Sequence, residues 1–78
     1  MRADKIEVIT YSGSRGEERP KAFFIHDERI DVVEILRRWI EEDVEQRARK
    51  RFFIVKAIDG YVYTLYFDES TAVWFKGR

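Results

Sequence analysis

From Arg51 to Asp68 the chain is apolar on both sides of a single break. Phe52-Phe53-Ile54-Val55-Lys56-Ala57-Ile58 precedes Asp59-Gly60, and Tyr61-Val62-Tyr63-Thr64-Leu65-Tyr66-Phe67 follows it. Asp-Gly between β-forming runs is a hairpin signal, because Gly accepts the positive φ of a type I′ turn. A two-residue turn there sets Ile58 against Tyr61, Ala57 against Val62 and Lys56 against Tyr63. One face then carries Phe52, Ile54, Ile58, Tyr61, Leu65 and Phe67. The other carries Phe53, Val55, Ala57, Val62, Thr64 and Tyr66 and ends in an Arg51–Asp68 pair. A hairpin with one wet face alternates apolar and polar residues. Here neither face is polar, so the second is expected to be covered by sheet curvature, another element or a second copy of the chain.

Elsewhere the pattern is less uniform. Lys5–Tyr11 reads as a strand from its β-branched residues, and Lys21–Ile25 as another, joined by the long Gly- and Ser-containing connection from Ser12 to Pro20. Phe24–Val32 resembles a hairpin whose second strand runs on into the next segment, and Glu69-Ser70-Thr71 leads into a last strand, Ala72–Lys76. Ile30–Arg49 reads two ways, and on periodicity alone the helix is favoured. Val32, Val33, Ile35, Leu36, Trp39 and Ile40 gather on one side of a helical projection, and Asp31 with Glu34 resembles a capping box. Against a helix stand the β-branched run Ile30, Val32, Val33, Ile35 and the hairpin that leads directly into it.

Composition removes several chemistries. The chain has 78 residues, a length suited to a single domain spanning 1–78, with no Cys and one His. Disulfides, thiolate nucleophiles, cysteine-ligated metals and multi-histidine sites are therefore excluded within one chain. A Ser–His–Asp relay would need His26 with Ser12, Ser14 or Ser70, all at loop or turn positions. MRADKIEV has no apolar core of signal-peptide length, and no apolar run approaches the ~20 residues that cross a bilayer. A soluble, cytoplasmic protein without membrane contact or cofactor is expected. Lys and Arg number fifteen, as do Asp and Glu, and the balance holds within each quarter of the chain. The basic excess that bulk attraction to nucleic acid requires is missing. Only Glu41–Arg51 is polarised, with Glu41, Glu42, Asp43 and Glu45 followed by Arg47, Arg49, Lys50 and Arg51.

Several residues carry a family resemblance: Arg19-Pro20-Lys21-Ala22-Phe23, Arg29, Val32, Glu34-Ile35-Leu36, Trp39, Arg51-Phe52-Phe53, Val55, Asp59-Gly60, Tyr63, Leu65, Asp68 and Trp74. Together they resemble a small bacterial family of uncharacterised cytoplasmic proteins. The family has no established activity, so the likeness transfers no catalytic residue. It implies a mainly β fold in which Ile30–Glu42 is a long, bent strand. The expected architecture is a small antiparallel meander of five or six strands, curled into a barrel or half-barrel. The alternative is α+β, with one helix at about residues 31–46 packed on the sheet.

Four groups are candidate sites. Arg47, Arg49, Lys50 and Arg51, with Tyr61 and Tyr63 across the hairpin, would suit single-stranded nucleic acid or a partner protein; the plain alternative is a solvated connection whose bases are offset by the preceding acids. Phe53, Val55, Val62 and Tyr66 form a candidate interface if a partner covers the second hairpin face, and core if the sheet does. Gly13-Ser14-Arg15-Gly16 could hold an anion with help from Arg15 or Arg19, although Glu17 and Glu18 oppose it. Asp27, Glu28 and Asp31 near His26 offer acid–base chemistry or a weak cation site, and otherwise read as an acidic turn. The expectation is a non-enzymatic binding or adaptor module acting through a protein partner or as a homodimer, with nucleic-acid binding as the alternative.

Overall fold

The computed structural model describes residues 4–11 and 19–77. Every regular element is a strand: β1 (Asp4–Ile6), β2 (Val8–Tyr11), β3 (Arg19–Ile25), β4 (Glu28–Asp43), β5 (Ala48–Ala57), β6 (Val62–Asp68) and β7 (Val73–Lys76). They form one antiparallel sheet in the order β1-β7-β6-β5-β4-β3-β2, curled into a half-barrel. β1 and β2 are consecutive pieces of one stretch interrupted at Glu7. The first pairs with β7 and the second with β3, while the Phe24 amide donates to the Glu7 carbonyl at 3.1 Å. The segment from Asp4 to Tyr11 therefore bridges both edges of the curled sheet.

Curling creates the core. Phe23, Ile30, Phe53, Val55, Ala57 and Leu65 are buried on the inner face, with Ile6, Val8, Ile25, Val32, Ile35, Tyr63 and Trp74 packed against them. Each fully buried aliphatic or aromatic side chain of this kind contributes about 1.5–3 kcal/mol through lost water contact. One face of the β5–β6 hairpin is thus covered by curvature within the chain, as the apolar pattern requires.

The helix over 31–46 does not form; β4 runs extended from Glu28 to Asp43. Its helical appearance has a physical source. Register shifts fall between Val32 and Glu34 and between Ile35 and Arg37, making Val33 and Leu36 the extra residues of two β-bulges. Inward positions consequently run Ile30, Val32, Ile35, Arg38, Ile40, and the two steps of three imitate a helical stripe. The extra residues Val33 and Leu36 lie exposed.

The hairpin register also differs from expectation by one residue. Val55 lies opposite Tyr63 and Lys56 opposite Val62. The connection holds three residues, Ile58, Asp59 and Gly60. The Gly60 amide donates to the Ala57 carbonyl and the Ala57 amide to the Tyr61 carbonyl, both at 2.9 Å. Gly60 sits at φ 90°, the left-handed position that closes a type I turn with a G1 bulge. Arg51 accordingly opposes Phe67, and Lys50 takes the place opposite Asp68. The two-residue turn with both φ positive occurs instead at His26 (50°) and Asp27 (67°), between the paired Ile25 and Glu28.

Candidate functional site

The one-residue register difference decides which side chains meet on the outer face. Trp39 of β4 opposes Phe52, Phe52 opposes Tyr66, and Tyr66 opposes Phe75 of β7. Their rings form a row across four strands, with centroids 5.1, 4.8 and 5.1 Å apart and interplanar angles of 8°, 27° and 19°. These spacings match the ~4.8 Å between neighbouring strands, so the sheet itself sets the stack. Phe52 and Tyr66 each have a ring on either side, which leaves mainly ring edges directed outward. The Arg37 guanidinium lies 5.0 Å from the Trp39 centroid and the Lys50 ammonium 5.5 Å from that of Tyr66. Trp39 Nε1 donates to Glu41 Oε2 at 3.0 Å. The two-residue turn puts Phe52 and Tyr66 on opposite faces of the hairpin, and of this row only Tyr66 falls in the candidate interface. The signal was present in the spacing of Trp39, Phe52, Tyr66 and Phe75, but it emerges only with the three-residue turn.

The same register divides the proposed interface of Phe53, Val55, Val62 and Tyr66. Phe53 and Val55 are 4% and 0% exposed in the core, whereas Val62 is 57% exposed. Val62 and Tyr66 belong to the outer face, opposite Lys56 and Phe52. These four residues therefore do not form one surface, because an odd shift in pairing moves one strand's side chains to the other face.

The basic cluster is also split. Arg47 is exposed in the β4–β5 turn at φ 53°. Arg49 lies 3.8 Å from Glu42 and 3.7 Å from Glu69, and Arg51 Nε donates to Glu69 Oε2 at 2.6 Å. Lys50 is on the outer face. The acidic block and the basic block thus face each other across a hairpin, Glu41 opposite Lys50 and Glu42 opposite Arg49. Tyr63 is at the other end of β5–β6, four residues or about 13 Å along the strand from Arg51's level. Its ring packs edge-on against Phe23 at 4.9 Å, and its hydroxyl donates to Asp59 Oδ2 at 2.6 Å. That bond, followed by burial, pushes the Tyr63 pKa up to about 12. The same hydroxyl, helped by the Tyr61 amide, holds the Asp59 carboxyl below its usual range. Tyr61 itself stands exposed at the turn.

Arg15 and the Gly13–Gly16 segment lie outside the described residues. Arg19 is exposed and sits over the Tyr11 ring at 5.2 Å, with Lys21 at 5.4 Å. In the acidic turn, Asp31 is engaged by Arg29 at 2.8 Å, and His26 is exposed. Among the described residues no group of three or more His, Asp or Glu side chains is placed to hold a metal ion, and no helix is long and apolar enough to cross a membrane. Asp68 accepts from the Ser70 hydroxyl at 2.7 Å and amide at 3.0 Å. The hydroxyl bond is the main cause holding its carboxyl below the usual range.

Fold and site together define a small all-β domain whose outer face is an aromatic row flanked by cations. The chain belongs to the family described as domain of unknown function DUF6504, which matches residues 1–76. No curated protein and no solved structure matches it.

Proposed function

We propose that this chain is a non-enzymatic binding module that works through protein–protein contact on the outer face of β4–β7. The observation that carries this reading is the row Trp39, Phe52, Tyr66 and Phe75, half-buried and standing on a face with no covering element among the described residues. Aromatic rings with adjacent Arg are the side chains that anchor protein interfaces. Nucleic-acid platforms of the stacking kind offer ring faces to bases. In this row the faces of Phe52 and Tyr66 are taken by neighbouring rings, which favours a packed apolar partner over an unstacked base.

The test places a photoreactive benzoylphenylalanine at Phe75 in the native cell. A discrete protein adduct that disappears when Phe52→Ala is added supports the reading. Adducts no more discrete than those from the same probe at Asp27 overturn it. Tight binding of a mixed-sequence single-stranded oligonucleotide to the purified chain, weakening steeply with salt, would replace it with a nucleic-acid role.

A further inference from the structure

The strand β4 has an edge that nothing occupies among the described residues. β3 pairs with β4 only from Glu28 to Asp31, and β4 continues to Asp43 with β5 on its other side. Exposed apolar residues follow that edge: Val33 is 61%, Leu36 48% and Ile40 50% accessible. An unpaired row of backbone N–H and C=O groups is a template for another strand, and bulges and charges are the usual protections. The bulges of β4 end at Arg37. From there Arg37–Asp43 runs in unbroken register against Ile54–Ala48.

We propose that this edge pairs antiparallel with the same edge of a second copy, Ile40 lying on the two-fold axis. In a symmetric antiparallel pair each face of the sheet maps onto itself. A residue must therefore oppose one of the same parity, and the axis must pass through a self-opposed residue. Ile40 is the midpoint of the bulge-free stretch Arg37–Asp43. About that centre Arg37 meets the second copy's Asp43, Arg38 meets its Glu42, Trp39 meets its Glu41, and Ile40 meets itself. Each Arg–carboxylate pair occurs twice by symmetry. Moving the axis to Trp39 keeps only the Arg37–Glu41 pairs and sets Arg38 against Ile40. Moving it to Glu41 sets like charges together. Directly opposed opposite charges favour a pairing and like charges oppose it, so the sequence Arg37-Arg38-Trp39-Ile40-Glu41-Glu42-Asp43 selects one register.

Within the chain the same charges are unevenly satisfied. Arg38 faces Phe53 across the sheet and has no ion pair or hydrogen bond among the described residues. Among the same residues Arg37 has only the Trp39 ring. Glu42 is held at 3.8 Å by Arg49 and remains largely exposed, and a carboxylate has acceptor sites for cations on both sides. The second copy supplies the carboxylates that Arg37 and Arg38 lack. The inference deepens the protein-contact reading by naming a partner, but it uses the strand edge rather than the ring row.

Two measurements on the purified full chain test it. The chain has no cysteine, so Ile40→Cys introduces a single thiol whose Cβ lies about 5 Å from its symmetry mate. It should oxidise to a species of twice 9.4 kDa at least about tenfold faster than Tyr61→Cys, a control in a turn position that is more accessible than Ile40. Equal rates overturn the proposal. In sedimentation, Arg38→Glu and Glu42→Arg should each dissociate the dimer, by about tenfold or more in Kd. Their equimolar mixture should restore it. In that heterodimer the two introduced charges, of opposite sign, oppose each other, and the second pair keeps its native Arg38 and Glu42. A parent chain monomeric at about 1 mM, or a mixture that stays monomeric, overturns the proposal. Neither result bears on the Phe75 cross-link, so failure of the dimer and failure of the outer-face reading are separable.

Discussion

β4 is one strand with two surroundings. At Glu28–Asp31 it has β3 on one side, and Ile30 is buried against the paired Phe23. At Arg37–Asp43 it has β5 alone among the described residues, and Ile40 is half exposed. The closed end is stabilised by removing apolar surface from water, the open end by ring stacking and cross-strand charge pairs. The first effect is worth about 1.5–3 kcal/mol per side chain and the second about 1 kcal/mol or less per contact. The half-barrel therefore has a firm end and an adaptable end, and the surfaces proposed for partners belong to the latter.

The largest test of that contrast is Ile30→Ala. Ile30 is 9% exposed and packs against the paired Phe23, so its truncation should lower unfolding free energy by about 3 kcal/mol. Ile40→Ala, measured by the same urea titration at concentrations where the chain is monomeric, should change it by no more than about 0.5 kcal/mol. Equal losses would remove the distinction between the ends. Phe52→Ala comes next, at about 2 kcal/mol, because the ring is half-buried and stacked on both sides. A double-mutant cycle with Tyr66→Ala should give a coupling of about 1 kcal/mol. A coupling near zero would mean that the row is mere adjacency.

The contrast was only partly visible in the sequence. The two hairpins and the apolar character of both β5–β6 faces are legible, because β-branched and aromatic residues and turn dipeptides report them locally; the mainly β class rests on the family resemblance, since periodicity alone favours a helix over Ile30–Arg49. The core membership of Phe53 and Val55 and the ring row required the register. Asp59-Gly60 is compatible both with a two-residue turn and with a three-residue turn ending in Gly60, and the choice moves half the side chains to the other face. The bulges at Val33 and Leu36 likewise turned a strand's alternation into an apparent helical stripe. Both features depend on pairing with a neighbour, which no single segment encodes. The acidic and basic blocks around Glu41–Arg51 stood out as a polarised segment, and the hairpin explains them as facing strands.

A smaller effect sharpens the turn that sets this register. Gly60→Ala should cost about 1 kcal/mol, since a Cβ at φ 90° is strained although open space surrounds it. Gly77→Ala is the comparison: its Cβ would meet Thr64 Cγ2 at an ordinary 3.6 Å. Thermal unfolding should show a clear loss at Gly60 and almost none at Gly77. Similar losses would argue that the G1 turn does not restrain the hairpin.

The smallest effect concerns two carboxylates at opposite ends of β6. Asp59, at the closed end, is lowered chiefly by the Tyr63 hydroxyl; Asp68, at the open end, chiefly by the Ser70 hydroxyl. A lowered folded pKa means that Asp59's contribution is complete above its ordinary value of 3.8 and is lost as pH falls through the lowered one. Tyr63 has the opposite sign. Its pKa is raised from 10.0 to about 12, so its contribution is complete below pH 10 and disappears as pH rises through that interval. Tyr63→Phe removes the shared hydrogen bond while leaving the ring on Phe23. In an NMR pH titration Asp59 should then move up toward its ordinary range while Asp68 stays where it was, and the alkaline loss of stability between about pH 10 and 12 should flatten. If Asp59 titrates as in the parent, the hydroxyl is not what holds it; if both carboxylates move, the two ends are coupled and the division of β4 into a firm and an adaptable half does not extend along β6.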